Sequence, residues 1–152
     1  MSVIENSTLF QGFSEGTLAR VQNALERTSY SPGAFIFQGG EPANHLYVLE
    51  EGRVRLRFGQ NGQVAYALNE PGEVFGWSSL VNQKEYTLSA QSVSAVSVAR
   101  FERNQLLGIL ENDAQSGMAF FQHLGELIGQ RLFNSYKATV SVHGERSSLS
   151  YG

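Results

Sequence analysis

The chain has 152 residues, a formal net charge of −3 at pH 7 and no cysteine. This composition excludes disulfides, thiol catalysis and cysteine-ligated iron–sulfur clusters, and the negative charge offers nucleic acid no overall attraction. The length fits one domain, and neither a long apolar run nor a signal-like amino terminus is present. We therefore expect a soluble, cytoplasmic protein that binds neither nucleic acid nor membrane directly.

An amphipathic helix is predicted near the amino terminus. Ser14 is placed to cap it, and Phe13 and Leu18 have the spacing of a hydrophobic staple. Leu18, Val21 and Leu25 continue at intervals of three and four residues, so one face of the helix packs inward. We interpret this helix as structural.

From Phe35 to Phe101 the helical period gives way to short β segments rich in valine and aromatic residues. Turn signals recur about every ten residues, at Gly39-Gly40, Glu51-Gly52, Asn61-Gly62 and Pro71-Gly72. This spacing predicts a mainly β fold of the jelly-roll type, a double-stranded β-helix. Asn61-Gly62 predicts a hairpin closed by a two-residue type I′ turn.

The stretch from Pro71 to Ser92 has the features of a small binding site. It passes from a turn through a short strand to Gly76, and then into a segment that can form one or two helical turns. Backbone N–H groups at a helix start lack internal partners, so the place suits an anion or an oxygen-rich small molecule. A plain connection between two strands explains the same features.

Helical periodicity returns after Phe101. A short helix is predicted over residues 102–111, and Asn112 or Asp113 can cap a long helix over residues 114–136. From residue 137 onward the sequence is polar and typical of a loose tail. We therefore assign residues 1–137 to one domain and 138–152 to a tail that is too short for a DNA-binding domain.

The long helix has more apolar surface than one sheet face would cover. Its apolar stripe includes Phe121, Ile128 and Leu132. Gly125 and Gly129 lie one turn apart on one side, where the backbone of a second helix could approach closely, although glycines without a role explain them equally well. The surplus predicts a partner helix.

Four segments in order resemble the cyclic-nucleotide-binding domain family, which includes the catabolite activator protein and the regulatory subunits of cyclic-nucleotide-dependent kinases. They lie at residues 9–13, 30–43, 46–54 and 71–76, and the resemblance extends over roughly residues 9–137. It implies a jelly roll flanked by an amino-terminal helix and a long carboxy-terminal dimerisation helix. It also implies a phosphate-binding cassette within the stretch from Pro71 to Ser92, and a homodimeric sensor that signals through the long helix.

The cassette departs from the family pattern at two positions. Members that bind cyclic nucleotides have a Glu after the Phe-Gly pair and an Arg further along, where this chain has Trp77 and Tyr86. Neither replacement can supply a carboxylate hydrogen bond or a guanidinium–phosphate pair, so ordinary cyclic AMP binding is not expected. The resemblance assigns a cyclic nucleotide or another small ligand, with no certain cofactor and no metal, to Phe75, Gly76, Trp77, Ser78, Ser79, Tyr86, Thr87 and Ser89.

Two interpretations of Trp77 and Tyr86 remain open. They line a cavity for an atypical ligand, together with hydroxyls such as those of Ser78 and Thr87, or they fill the cavity and leave a ligand-free dimerisation scaffold. We favour the cavity, because hydroxyls that faced an aromatic plug would lack hydrogen-bond partners. Lys84 and Arg131 are candidates for replacing the lost arginine. A sensor domain cut from a longer transcription regulator is a further alternative.

The sequence offers no catalytic constellation. Its three histidines, His45, His123 and His143, form no His-x-His or His-x-x-x-His pair, and Glu73 has no visible partner for acid–base chemistry. A metal-dependent cupin would present a histidine cluster, and haem binding would rest on His123 alone, so we favour neither. We predict a regulatory protein and not an enzyme.

Overall fold

The structure, a computed structural model, describes residues 3–59, 61–81 and 84–143. The helices are α1 (Val3–Asn6), α2 (Glu15–Ala24), α3 (Arg103–Glu111) and α4 (Ala114–His143), and 3₁₀ turns lie at Thr8–Phe10 and Trp77–Ser79. The strands are β1 (Glu26–Tyr30), β2 (Phe35–Phe37), β3 (His45–Glu51), β4 (Val54–Arg57), β5 (Val64–Leu68), β6 (Val74–Phe75), β7 (Ser89–Ser92) and β8 (Val96–Glu102).

Two antiparallel sheets of four strands form a β-roll. Their strand orders are β1-β8-β3-β6 and β2-β7-β4-β5, so strands far apart in sequence lie side by side. This arrangement confirms the predicted mainly β jelly roll with an amino-terminal helix and a long carboxy-terminal helix.

Strand β3 in the middle of the first sheet is buried on both faces. Leu46 and Val48 of β3 pack with the helices, whereas Tyr47 and Leu49 pack inside the roll, as expected where successive side chains alternate between faces. The short strand β6 is divided in the same way, because Val74 belongs to the cluster beneath the helices and Phe75 to the cluster inside the roll. Strand β6 therefore contacts both the cluster beneath the helices and the cluster inside the roll.

The amino termini of α2 and α4 share one set of hydrogen bonds. Ser14 caps α2 by accepting from the N–H of Thr17 at 3.3 Å. The Asp113 carboxylate accepts from the N–H and hydroxyl of Ser116 and also from the hydroxyls of Thr17 and Ser14. Both predicted caps are confirmed, and together they fix the start of the long helix against α2.

The predicted hairpin forms between β4 and β5, but the predicted turn type was wrong. The strands stop at Arg57 and Val64, and the N–H of Phe58 donates to the carbonyl of Gln63 at 3.1 Å, so the connection is longer than two residues. Positive φ occurs at Gly59, at 67°, and not at Gly62. Gly62 is required for another reason, since a Cβ there would lie 1.6 Å from the Phe58 carbonyl oxygen.

Two elements also differ from prediction. The polar strand β1 has no apolar alternation that would reveal it, and it forms by pairing with β8 at the sheet edge. The helix α4 continues to His143, so residues 137–143 are helical and not part of a loose tail. The remainder of the predicted tail lies outside the described residues.

Candidate functional site

The cassette begins where β6 ends and is shaped by Gly76. This residue adopts φ 78°, and a Cβ there would lie 3.1 Å from both the His45 carbonyl oxygen and the Tyr47 ring. Only glycine suits a positive φ with so little space. One 3₁₀ turn follows at Trp77–Ser79. The predicted order of strand, glycine and short helical turn is confirmed.

Two cassette hydroxyls bond to the backbone of the surrounding loops. The Ser79 hydroxyl donates to the Gly76 carbonyl at 2.9 Å, and the Ser89 hydroxyl accepts from the Gly39 N–H at 2.9 Å. Both serines are buried. The sequence argument that hydroxyls around an aromatic plug would lack partners was therefore wrong for these two residues, because the loop backbone supplies the partners.

Tyr86 fills the interior of the cassette. Its ring stacks on Phe37 with the ring centroids 3.7 Å apart, and the residue is 5% exposed. Its hydroxyl donates to the His45 carbonyl at 2.7 Å and accepts from the His45 N–H at 3.1 Å. Burial raises the pKa of Tyr86, so the phenol stays neutral and its hydrogen-bonding capacity is used within the protein.

A cavity of about 50 Å³ remains beside Trp77. Ligand pockets measure roughly 300–1,000 Å³, and one water occupies about 30 Å³ in the liquid, so the cavity in this conformation is closer in size to a water molecule than to a nucleotide pocket. Trp77 and Tyr86 both line the space that remains in the cassette. The residues that line the cavity are Phe37, Leu56, Gly76, Trp77, Ser78, Tyr86, Thr87 and Leu88.

Five of the eight predicted ligand residues meet at this cavity, namely Gly76, Trp77, Ser78, Tyr86 and Thr87. The other three do not line it: Phe75 is fully buried inside the roll, and Ser79 and Ser89 bond to backbone. The eight predicted ligand residues thus divide into five that line the cavity and three that do not.

Arg131 of α4 connects the long helix to the cassette. Its guanidinium carbon lies 4.6 Å from the centre of the Trp77 ring and 4.7 Å from that of Tyr66, and Nη2 donates to the Val74 carbonyl. The residue is 8% exposed. Sequence reasoning named Arg131 only as a substitute for the missing arginine, although a cation within an apolar helical stripe is a signal for such a contact.

The other singled-out residues lie elsewhere. His123 Nε2 is 3.2 Å from the Gln11 carbonyl oxygen, and Lys84 is exposed. Within residues 3–59, 61–81 and 84–143, no group of three acidic, histidine or cysteine residues could hold a metal ion. In the same part of the chain, no helix has both the length and the apolar character needed to span a bilayer.

The sequence that forms this roll and cassette matches a known family. The family model described as cyclic nucleotide-binding domain matches residues 27–113, more than half of the chain. The chain belongs to the cyclic nucleotide-binding domain family. This confirms the resemblance seen in the four ordered motifs.

Two curated relatives and one solved structure show the breadth of this family. The chain is 31% identical over 109 residues to the cyclic AMP receptor protein of Thermus thermophilus, which covers 70% of this chain and 50% of that protein. It is 30% identical over 96 residues to the cAMP-dependent protein kinase regulatory subunit of Hypocrea atroviridis, which covers 61% of this chain and 20% of that protein. Both curated relatives are thus at least twice as long as the matched segment of this chain.

A solved structure is similar over most of the chain. The sensor domain of the transcriptional regulator DNR from Pseudomonas aeruginosa matches with a TM-score of 0.70 and 25% identity, over 86% of this chain and 89% of that one. By their names, the three relatives are a receptor, a regulatory subunit and a sensor domain.

Proposed function

We propose that this chain is a regulatory module in which α4 carries the output, and in which the cassette is coupled to α4 through Trp77 and Arg131. The sandwich of Arg131 between Trp77 and Tyr66 carries the proposal. A ligand that displaces the Trp77 ring must also alter the contacts of Arg131. The coupling is reciprocal, because any movement of α4 that withdraws Arg131 also releases Trp77.

The cassette favours a ligand other than an ordinary cyclic nucleotide. Tyr86 is fixed by the Phe37 ring and by two hydrogen bonds to His45, so it stays in place when a ligand enters. Trp77 is half-buried and held by Arg131, and it is the side chain that a small ligand would move. The ligand would then contact Gly76, Ser78 and Thr87, with Phe75, Ser79 and Ser89 as supports behind them.

A homodimer that pairs through α4 would transmit the change in the Arg131 contacts to the second subunit. Phe121 and Leu132 are 40% and 51% exposed, and a Cβ at Gly125 or Gly129 would meet nothing within 4 Å, so this face is open to a second helix. Ile128 is half-buried against the chain's own core and contributes less. Light scattering of the parent and of Leu132→Glu tests the dimer; a parent that is monomeric at high micromolar concentration contradicts it.

A ligand-free dimerisation scaffold is the second candidate. The 50 Å³ cavity favours it, because side chains of the protein already occupy the cassette. The similarity to the sensor domain of DNR supports a place for this chain within a longer transcription regulator. These alternatives differ in ligand binding, so binding decides between sensor and scaffold.

Thermal shift with cyclic AMP, cyclic GMP, cyclic dinucleotides and a panel of small aromatic and anionic metabolites tests the ligand. We expect no cyclic nucleotide to stabilise the parent, and a Trp77→Glu, Tyr86→Arg double variant to gain such binding if the rest of the cassette is competent. Stabilisation of the parent by cyclic AMP would overturn the exclusion of nucleotides. Absence of any shift in either protein would favour the scaffold.

Amide hydrogen exchange tests the coupling. Trp77→Ala should accelerate exchange in residues 131–140 of α4, because it removes one face of the Arg131 sandwich. The matched control is Val81→Ala, which changes an exposed side chain of the same loop. Equal exchange in Trp77→Ala and the parent would show that the cassette is not coupled to α4.

A further inference from the structure

The two sheets of the roll differ in their charge. The sheet β1-β8-β3-β6 contains acidic as well as basic residues, and two ion pairs form on it, Arg27–Glu50 at 3.1 Å and Arg100–Glu26 at 3.6 Å. The sheet β2-β7-β4-β5 has no acidic residue in any of its four strands, and its charged residues are two arginines of β4. In a chain of net charge −3, this second sheet is therefore locally positive.

Three arginines lie in a row on the outer face of the second sheet. Val54 and Leu56 belong to the cluster inside the roll, so the residues that alternate with them lie on the opposite face. These are Arg53, Arg55 and Arg57; the first two are exposed and the third is partly exposed. Within residues 3–59, 61–81 and 84–143 none of the three forms an ion pair. The row thus presents positive charge that no described carboxylate of the chain neutralises.

The neighbours of the row leave its charge unchanged and hold one of its side chains in place. Arg55 lies opposite Ala67 of β5 and Gln91 of β7, which are both uncharged. Nη1 of Arg57 donates to the Gly62 carbonyl at 3.2 Å, so this guanidinium is tied to the β4–β5 connection. A side chain that is already oriented loses less conformational freedom when a partner binds.

The spacing of the row matches that of an extended peptide. Residues two apart in a strand are separated by about 6.4–6.8 Å, which is less than the Debye length of about 8 Å at physiological ionic strength. The three positive charges therefore repel one another. A second extended chain with acidic residues at every other position has the same period, and a guanidinium can bind a carboxylate through two parallel hydrogen bonds.

We propose that this face of the roll binds a short acidic peptide segment of a partner protein in an extended conformation. Arg53 and Arg55 pair with its carboxylates, and Arg57 adds positive charge at the end of the row. A nucleic-acid strand fits less well, because a long polyanion would extend beyond the row and meet the net negative charge of the chain. The three arginines do not line the cassette cavity, so the peptide binds whether or not the cassette holds a ligand.

Fluorescence anisotropy with a labelled octapeptide of alternating glutamate and serine tests this surface. We expect binding at low ionic strength that weakens as salt is added. The same peptide with glutamine in place of glutamate is the neutral control and should not bind. An octapeptide of the same composition with its glutamates in adjacent pairs keeps the charge but changes the spacing, and it should bind at least about threefold more weakly.

Matched charge removals locate the site on the chain. The double variant Arg53→Gln, Arg55→Gln should bind the alternating peptide about fivefold or more weakly, because two exposed guanidinium–carboxylate pairs are lost. Arg20→Gln removes an exposed arginine from α2 and should bind as the parent does. All three substitutions are at exposed positions, so the fold should persist, and urea unfolding checks this.

Four results would overturn the proposal. The first is an alternating acidic peptide that binds no better than its neutral control, and the second is equal binding of the two acidic peptides. The third is a double variant that binds as the parent does. The fourth is a single-stranded oligonucleotide of the same charge that binds more tightly than the peptide and loses that binding in the double variant, which would make this face a nucleic-acid surface.

Discussion

The two halves of α4 are held to the β-roll in different ways. In the first half Phe120 and Leu124 are 0% and 1% exposed and belong to the core cluster beneath the helices. Among residues 131–140, all of which are described, Arg131 alone is buried, and Leu132 and Phe133 are about half exposed. Apolar burial contributes roughly 1.5–3 kcal/mol per large side chain, and a cation–π contact about 0.5–2. We call the first half of α4, which contains Phe120 and Leu124, the anchor, because core packing holds it in place. We call residues 131–140 the arm, because few buried contacts hold them.

Truncation of the anchor should have the largest effect on stability. Phe120 contacts the rings of Phe10, Phe13 and Phe121. Phe120→Ala leaves a cavity in this cluster and should lower the free energy of unfolding by about 3–5 kcal/mol. Urea unfolding measures it. Phe133→Ala is the matched control on the arm and should change stability by less than about 0.5 kcal/mol. Similar losses in both variants would contradict the difference between the halves.

The contrast also separates what the sequence could predict from what it could not. The anchor follows from local periodicity, and the roll from glycine turns and alternating strands, because these signals involve residues close together in the chain. The Arg131 sandwich requires Trp77 and Tyr66 to meet a residue more than fifty positions away, which no local pattern encodes. The buried position of Tyr86 follows from no local pattern for the same reason, since its hydroxyl bonds to the backbone of His45 across the roll.

Within the cassette, removal of one hydroxyl should have an intermediate effect. Tyr86→Phe keeps the ring stack on Phe37 but leaves the N–H and carbonyl of His45 without their present partner. Unfolding free energy should fall by about 1–3 kcal/mol, as measured by urea denaturation. An unchanged value would mean that water replaces the hydroxyl, and would weaken the view that Tyr86 permanently fills the cassette.

On the arm, loss of Arg131 should alter local motion more than global stability. Arg131→Met removes a buried cation that lacks a counter-ion among the described residues, so the cost of the lost contacts is offset in part. We expect a change in unfolding free energy below about 1 kcal/mol. Amide exchange should accelerate in residues 132–140 and not in residues 114–124. Equal acceleration along the whole helix would show that α4 responds as one rigid unit.

The smallest effect concerns the capped start of the anchor and depends on pH. Hydrogen bonds from Ser116, Thr17 and Ser14 hold the pKa of Asp113 well below its ordinary value of 3.8. A folded-state pKa below the unfolded value stabilises the fold above the unfolded pKa, and this contribution is lost as the pH falls through the folded pKa. Asp113→Asn should therefore be less stable than the parent at neutral pH, and the difference should shrink below about pH 4. Urea unfolding from pH 7 to pH 3, with the exposed Glu111→Gln as control, measures it. A difference that stays constant across this range would contradict a contribution from the charge of the Asp113 carboxylate, because a contribution from that charge must depend on pH.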